Sequence, residues 1–225
     1  MLKVKHMYVS YTKDYYTLND INLDLKHNQK MVIVGNKDSG RTVLLRSLVG
    51  LEELAKGEVF IKNISIDKID YQNDVSLGYL PALPPFLEKK TVRQNIEYVL
   101  SIRKDNEAFI NEKINNAIVG AGLEFFKNKK VKELNYFDRI RLAIARLSVR
   151  SLDMLLVDDI FTRLSTMERT KIIKMLKDLI KSNSATTIIM TDSEEIADKF
   201  GYEKKYMVYG SLQDTPDFDI NEAKG

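Results

Sequence analysis

Eight residues near the start of the chain, 35 to 42, have the spacing of a phosphate-binding loop. They read GNKDSGRT and follow the pattern G-x-x-x-x-G-K-[ST] except that Arg41 replaces the lysine. In that pattern backbone N–H groups surround the phosphates, and the final hydroxyl, here Thr42, binds Mg²⁺. The predicted nucleotide-binding residues of this segment are Gly35, Asn36, Lys37, Asp38, Ser39, Gly40, Arg41, Thr42 and Val43.

The residues on either side of the loop bear on whether the match is accidental. Met31 to Val34 form a short apolar, β-branched run, which predicts a buried parallel strand. After the loop, residues 43–49 carry valine and leucine at helical spacing. A strand, a glycine loop and a helix in this order aim the helix N-terminus at an anion. The alternative, a left-handed turn ahead of an ordinary helix, explains less of this context.

Composition excludes several other classes of protein. The chain has 225 residues and no cysteine, so disulfides and thiolate metal sites are excluded, and His6 and His27 have no metal-ligand spacing. A net charge of +3 is too small to indicate nucleic acid as a partner. The N-terminus has no apolar core of signal-peptide length, and no stretch approaches the ~18 apolar residues of a membrane span. We therefore expect a cytoplasmic protein.

Strand and helix patterns alternate along most of the chain. The first 70 residues are predicted to be mostly strands, whereas residues from Thr91, a predicted N-cap, to about 130 have helical periodicity. Two more apolar runs, at 154–159 and 186–192, predict buried strands, and 206–212 suit a final hairpin. This order predicts a mostly parallel sheet with helices on its faces and the glycine loop at the carboxyl end of a strand.

The order of motifs resembles the ATP-binding subunit of ABC (ATP-binding cassette) transporters over about residues 1–212. Besides the loop, ELNYFDRIRLAIAR matches the signature stretch and its helix, and MLLVDD matches the strand that ends in acids. Another P-loop NTPase or a flavodoxin-like domain would not explain RIRLAIAR just before MLLVDD. The resemblance implies one ABC-type domain with a mostly parallel core and an antiparallel β subdomain. Its implied parts are a core at about 1–85 and 136–212, a helical insertion at about 86–135 and a tail at 213–225.

The resemblance also assigns roles to residues outside the loop. Tyr11 stands where the family has an aromatic ring that stacks on adenine. Asp158 matches the magnesium acid, so Thr42 and Asp158 are the implied metal ligands. Asp159 stands in place of the catalytic glutamate and is the candidate catalytic residue. ATP and Mg²⁺ are the implied cofactors.

Several positions depart from the family pattern in ways that weaken phosphoryl transfer. Ala82 replaces a glutamine, Asp159 is one methylene shorter than glutamate, and Asp192 replaces a histidine that donates to the terminal phosphate. Arg41 keeps the charge of the lysine but not its shape. Asp38 stands where the family usually has glycine, and its carboxylate near a triphosphate costs about 1 to 4 kcal/mol at 4 Å. These changes predict weak nucleotide binding and poor hydrolysis.

The signature reads Leu134-Asn135-Tyr136-Phe137-Asp138 instead of L-S-G-G-Q. Asn135 can still cap the following helix with Asp138 near its positive end, but the two aromatic residues add bulk where backbone has to approach the phosphate. We interpret the segment as a helix cap kept for folding, the alternative being an aromatic contact with a partner. The basic run KNKKVK, Lys127 to Lys132, is best explained as a solvated turn, with anionic lipid or an acidic partner as the alternative.

Together these features predict a degenerate ABC-type subunit that acts mainly as a structural or regulatory half of a dimer. In the family such subunits dimerise and dock on integral membrane transporter subunits through a groove near residues 80–90. We therefore expect a peripheral protein at the inner face of the cell membrane, paired with an ABC paralogue as a heterodimer, a homodimer being less favoured. A slow but active ATPase and a non-enzymatic interaction protein that binds no nucleotide remain as alternatives.

Overall fold

A computed structural model describes residues 1–12, 15–71, 73–102 and 107–216. Its strands are β1 Leu2–Ser10, β2 Tyr16–Leu25, β3 Lys30–Gly35, β4 Lys56–Ile61, β5 Ile64–Ser65, β6 Leu77–Leu80, β7 Met154–Asp158, β8 Thr186–Thr191, β9 Glu203–Val208 and β10 Ser211–Gln213. Its α-helices are α1 Arg41–Leu48, α2 Val92–Ile102, α3 Glu107–Gly120, α4 Tyr136–Ser148, α5 Thr166–Asn183 and α6 Glu194–Phe200. Short 3₁₀ turns span Ile66–Lys68, Glu124–Phe126 and Val131–Glu133.

The chain forms two compact units, one made of Met1–Asp70 with Thr186–Gly225 and the other of Tyr71–Ala185. In the first unit an antiparallel sheet has the strand order β2-β1-β4-β5. Leu2 of β1 is opposite Leu25 of β2 and Ile61 of β4, and all three side chains are buried. The period-two alternation of these strands places their apolar side chains on the face that packs into the core.

The first unit also holds the sheet that carries the phosphate loop. The strands of this sheet that belong to the first unit run in the order β10-β9-β3-β8, and β3 is parallel to both β8 and β9. Met31 to Val34 are buried without alternation, as expected for a parallel strand covered on both faces. The predicted strand and the final hairpin of β9 and β10 are both confirmed.

The second unit consists of the parallel pair β6 and β7 with helices α2 to α5. Thr91 caps α2 as predicted, because its hydroxyl accepts from the Gln94 N–H at 3.2 Å while the Gln94 side chain accepts from the Thr91 N–H at 3.0 Å. The helices pack around an apolar cluster whose fully buried members include Val92, Ile96, Ile114 and Leu142. The apolar side chains that recur at helical spacing in the sequence therefore form the helix faces that pack into this cluster.

The predicted boundaries of core and insertion remain predictions. Most of the predicted tail, residues 217–225, lies outside the described residues, as do residues 103–106 of the predicted helical stretch. Among the described residues, no helix combines the length and the apolar character needed to cross a bilayer.

Candidate nucleotide-binding site

The phosphate loop connects β3 to α1, which is the position predicted for it. The Ser39 N–H donates to the Asn36 carbonyl at 3.2 Å, and the Leu44 N–H donates to the Gly40 carbonyl at 2.8 Å to begin the helix. Gly40 is the N-cap residue, and no side chain caps this end of α1. The first N–H groups of a helix have no intrahelical acceptor, so this end suits an anion.

The lack of a side chain explains both glycines of the loop. A Cβ on Gly35 would lie 2.7 Å from the carbonyl oxygen of Met207 on the neighbouring strand. Gly40 has a φ of 100°, and a Cβ there would lie 3.0 Å from Leu18. Asp38, where the family usually has glycine, adopts the left-handed region with a φ of 67°, which aspartate tolerates better than most residues. The loop keeps its backbone path in spite of this substitution.

The charged side chains of the loop differ in exposure. Arg41 is only 7% exposed, so its guanidinium lies within the fold, whereas Lys37, Asp38 and Thr42 are exposed. The Asp38 carboxylate is therefore on the solvent side, where high dielectric reduces its repulsion of a phosphate. Lys37 lies on the surface, as expected for a solvent-facing loop lysine.

Tyr11, the predicted adenine-stacking residue, follows β1 and is 61% exposed. Partial burial and a hydrogen bond to the Glu52 carboxylate raise its pKa above the ordinary value. Glu52 also pairs with Arg46, with 2.5 Å between its Oε1 and the arginine Nε. The hydroxyl is thus held in the first unit while much of the ring surface remains accessible for stacking.

The two predicted acids lie at the end of β7 in the second unit. Asp158 is 4% exposed, and Asp159 follows it with a φ of 39°. The Thr162 hydroxyl donates to Asp159 Oδ1 at 3.1 Å, which holds that carboxylate in the turn after the strand. The buried oxygen donors of Asp158 are of the kind that Mg²⁺ prefers.

The replaced family positions are distributed over both units. In the first, Asp192 follows β8 and is exposed, and Ser193 caps α6 by accepting from the Ile196 N–H at 3.4 Å. In the second, Ala82 lies in the loop after β6. Neither side chain replaces the lost amide or imidazole donor.

Tyr136 makes contacts that sequence reasoning missed. Its hydroxyl lies 2.9 Å from the carbonyl oxygen of Ala82 and 3.1 Å from that of Ile160, so its single proton is shared by two acceptors. The Arg163 guanidinium lies over its ring at 5.7 Å. Burial raises the pKa of Tyr136 to about 12, and the nearby Asp159 charge acts in the same direction against the opposing effect of Arg163. The signature tyrosine therefore connects α4 to the loops that follow β6 and β7.

The rest of the signature forms the helix cap that was predicted. Asn135 Oδ1 accepts from the Asp138 N–H at 2.8 Å, and Asp138 pairs with Arg141. The Arg141 guanidinium lies 4.7 Å from the centre of the Phe137 ring and donates to the Gly122 carbonyl at 2.8 Å. Both signature aromatics thus have partners within the second unit, which supports their interpretation as structural residues.

A phosphate loop after one parallel strand and paired acids after another define a P-loop NTPase. Residues 18–162 match the family model described as ABC transporter. This match covers more than half of the chain, and the chain belongs to that family.

Curated relatives support the assignment across most of the chain. Similarity extends to the molybdate/tungstate import ATP-binding protein WtpC of Pyrococcus abyssi, with 28% identity over 94% of this chain and 61% of the relative. The sn-glycerol-3-phosphate import protein UgpC of Bartonella bacilliformis is 31% identical over 82% of this chain and 53% of its own length. LolD, the lipoprotein-releasing system protein of Francisella tularensis, is 29% identical with 87% of each chain covered. The chain thus spans little more than half the length of the first two.

Solved structures confirm the predicted fold class. A dimeric ATP-binding cassette, MJ0796, in a post-hydrolysis state bound to ADP and phosphate has a TM-score of 0.83 at 23% identity, covering 97% of this chain and 100% of the other. The protein cbiO1 of Clostridium perfringens, part of the ABC transporter complex cbiONQ, has a TM-score of 0.80 at 24% identity, covering 94% of this chain and 86% of the other. The chain therefore has the ABC-type P-loop NTPase fold.

Proposed function

We propose that the chain is an ATP-binding subunit of an ABC-type transporter that binds magnesium–ATP weakly and hydrolyses it poorly. It acts mainly as a structural or regulatory half of a dimer. A contrast between two features carries this proposal. The phosphate loop keeps its backbone and leads into α1, whose N-terminus at Gly40 has no side-chain cap. The catalytic positions, in contrast, have lost their reactive groups. Binding uses the first feature, and turnover needs the groups that are missing.

Nucleotide binding would use backbone N–H groups of the phosphate loop together with a small set of side chains. The loop N–H groups and Arg41 would hold the phosphates, Tyr11 would contact the base, and Thr42 with Asp158 would supply oxygen ligands for the metal. When bound, Mg²⁺ neutralises part of the negative charge of the phosphates. The uncapped end of α1 suits the phosphates, and the Thr42 hydroxyl and the Asp158 carboxylate are each oxygen ligands of a kind that Mg²⁺ binds.

Poor hydrolysis follows from what the catalytic positions lack. Ala82 offers no amide to a metal or to water, and Asp192 presents a carboxylate where a donor to the phosphate is needed. Asp159 is shorter than glutamate, and a base displaced by about 1 Å can lose on the order of a hundredfold in rate. Phosphoryl transfer depends on positioning and electrostatics, so these losses act on the same step.

The signature supports a reduced role in clasping a nucleotide. In the family, serine and glycine groups at this helix N-terminus hold the terminal phosphate across a dimer interface. Here Asn135 is engaged by the Asp138 N–H, and Tyr136 is held by the carbonyls of Ala82 and Ile160. Aromatic side chains held in this way leave less room for a phosphate than glycine does.

We further propose that the chain docks on an integral membrane subunit and pairs with an ABC paralogue at the inner face of the membrane. A groove of about 220 Å³ in the second unit is lined by Pro81, Pro84, Pro85 and Arg146, close to the predicted docking region at 80–90. Arg146 donates to the Pro85 carbonyl at 2.6 Å and lies over the Phe86 ring at 5.3 Å, which gives the groove a fixed wall. The named systems of the relatives are import and release systems, in agreement with a transport role.

Titration with a fluorescent ATP analogue, with and without Mg²⁺, tests the binding part of the proposal. We expect saturable, magnesium-dependent binding in the high micromolar to millimolar range, ~5 kcal/mol of binding free energy. Arg41→Lys should bind more tightly, because it restores the compact ammonium of the family, and Lys174→Gln on α5 is the surface control. A folded protein that binds nothing at millimolar nucleotide would establish the interaction-protein alternative instead.

A further inference from the structure

Two lysine-rich segments that are distant in sequence pair side by side in the second unit. The Val131 N–H donates to the Lys90 carbonyl at 3.0 Å, and the Val92 N–H donates to the Lys129 carbonyl at 3.0 Å. Lys132 N–H donates to the Glu88 carbonyl at 3.2 Å, and Thr91 forms a bridge with Lys130. We call residues 88–93 and 127–132 together the basic ribbon.

The basic ribbon concentrates positive charge on the surface. All six of its lysines are exposed, and within the described part of the chain none of them forms an ion pair: Lys89, Lys90, Lys127, Lys129, Lys130 and Lys132. Glu88 is neutralised by Arg139, whose two terminal nitrogens lie 2.6 and 2.8 Å from its carboxylate oxygens. That pairing lowers the pKa of Glu88, so its charge stays matched to Arg139. Among the described residues, Glu124 and Glu133 are the acids that adjoin residues 127–132 in the sequence.

An unusually exposed aromatic side chain adjoins the basic ribbon. Phe125, in the 3₁₀ turn just before it, is 94% exposed, and no other exposed large apolar side chain of the described residues is as accessible. Its neighbour Phe126 is half-buried against the helical core, with the Lys129 ammonium 4.9 Å from its ring centre. The turn is therefore anchored through Phe126 while Phe125 points outward beside the lysines.

We propose that the basic ribbon and Phe125 form a contact surface for anionic phospholipid headgroups. The ammonium groups would lie at the headgroup phosphates, and the Phe125 ring would enter the interface between headgroups and acyl chains. Basic residues beside an exposed aromatic ring are a combination that binds anionic bilayer surfaces. This surface contains no residue of the phosphate loop, and the inference does not depend on nucleotide binding.

The shape and charge of the surface favour lipid over a protein or nucleic-acid partner. The Phe125 ring is so exposed that the described residues form no pocket wall around it that would select a particular acidic peptide. A fluid lipid surface can adapt to it, and it offers both negative charge and an apolar layer. Nucleic acid would use the lysines, but the lone ring would need unpaired bases for stacking.

Vesicle flotation of the full chain tests the proposal. The probes are vesicles of phosphatidylcholine alone and of phosphatidylcholine mixed with phosphatidylglycerol. The ribbon variant carries Lys89→Gln, Lys90→Gln, Lys129→Gln and Lys130→Gln. A control with the same net charge carries four substitutions on α5: Lys171→Gln, Lys174→Gln, Lys177→Gln and Lys181→Gln. A third variant, Phe125→Ser, removes the ring alone, and circular dichroism verifies that all variants fold.

We expect the wild-type chain to float with the anionic vesicles only, and the binding to fall as salt is raised. Each lysine near an anionic surface contributes about fivefold, so the ribbon variant, which lacks four of them, should bind about 600-fold more weakly. Phe125→Ser should lose about fivefold through the apolar area no longer buried. The α5 control should bind like the wild type.

Three outcomes would overturn the proposal. One is a wild-type chain that does not float with anionic vesicles. Another is equal loss in the ribbon variant and the α5 control, which would reflect overall charge instead of this surface. The third is displacement by soluble polyglutamate as effective as that by anionic vesicles, combined with no effect of Phe125→Ser, which would identify an acidic protein as the partner.

Discussion

At the scale of single residues, Tyr136 stands where the family has a glycine. Its side chain fills the space that a glycine would leave open and makes contacts there. The Tyr136 hydroxyl is within hydrogen-bonding distance of carbonyl groups on two loops, one of them next to Asp159. Removal of the hydroxyl leaves both carbonyls without this donor in a partly buried place. Its contribution is therefore expected to be that of a hydrogen bond in the fold and not of a catalytic group.

Tyr136→Phe should lower the free energy of unfolding by about 1 to 2 kcal/mol at neutral pH. The folded-state pKa of about 12 lies above the unfolded value near 10, so the protonated tyrosine favours the folded state. This advantage is complete below pH ~10 and is lost as the pH rises towards ~12, because only the unfolded chain ionises in that interval.

Urea unfolding of both proteins at neutral pH and at pH ~11 measures this effect, and at pH ~11 the advantage of wild type over Tyr136→Phe should shrink by about 1 kcal/mol. Other tyrosines titrate in both proteins and cancel in the comparison. A stability difference that does not change with pH would show that Tyr136 is not held in its protonated form by the fold.

Asp159 is the residue at which the proposal of poor catalysis is most directly tested. We expect Asp159→Asn to leave steady-state phosphate release unchanged within about twofold, because Ala82 and Asp192 already remove the groups that would act with it. Asp159→Glu, which restores the family length, should not rescue turnover for the same reason. Turnover of about 1 per second that Asp159→Asn abolishes would establish an active ATPase.

At the scale of elements, the ends of helices α1 and α4 differ in the way that the proposal requires. The N-terminus of α1 has a glycine and no side-chain cap, which leaves it suited to a ligand. The N-terminus of α4 is closed by Asn135 and has Asp138 in its first turn. The first end is thus equipped for an anion and the second for internal stability.

Asn135→Ala should lower the free energy of unfolding by about 1 kcal/mol, the usual cost of losing an N-cap side chain. Asn135→Ser, which keeps an acceptor for the Asp138 N–H, should remain within a few tenths of a kcal/mol of the wild type. Chemical denaturation of the three proteins distinguishes them. Equal stability of the alanine and asparagine forms would mean that the cap contributes nothing to folding and would reopen a binding role for this segment.

At the scale of the whole molecule, the proposed pairing follows from damage on both sides of a shared site. An ABC site is built from the phosphate loop of one chain and the signature of the other. In a homodimer, both sites would combine the loop GNKDSGRT with the signature LNYFD. In a heterodimer with a competent paralogue, one site would combine the good loop and the glutamate of the partner with LNYFD. Only the heterodimer places an intact base and intact metal ligands in one site.

We therefore expect the residual ATPase of the complex to depend on the glutamate of the partner and hardly at all on Asp159. Crosslinking mass spectrometry on cells that express the protein identifies the partner, and reconstitution followed by mutation of each acid measures the dependence. If Asp159→Asn silences the complex while loss of the partner's glutamate is tolerated, the roles are reversed. A chain found only as an ATP-hydrolysing homodimer would contradict the pairing itself.

Local patterns in the sequence were sufficient to predict the features that depend on residues close together in the chain. The buried run of β3, the glycine loop, the Thr91 cap and the Asn135 cap all follow from residue types within a few positions of one another. Their physical basis is steric and hydrogen-bonding preference over one or two turns, which the spacing of residues already specifies. The order of these motifs also led to the ABC family.

Tertiary structure alone decided how distant segments meet. Tyr136 reaches a carbonyl 54 residues away, and the lysines of 88–93 and 127–132 form one surface because backbone hydrogen bonds join the two segments. The sequence by itself shows only that Tyr136 is bulky and that residues 127–132 are a basic run. Neither pairing has a local signal, since which carbonyl a hydroxyl reaches depends on how the intervening helices pack and not on the residues beside it.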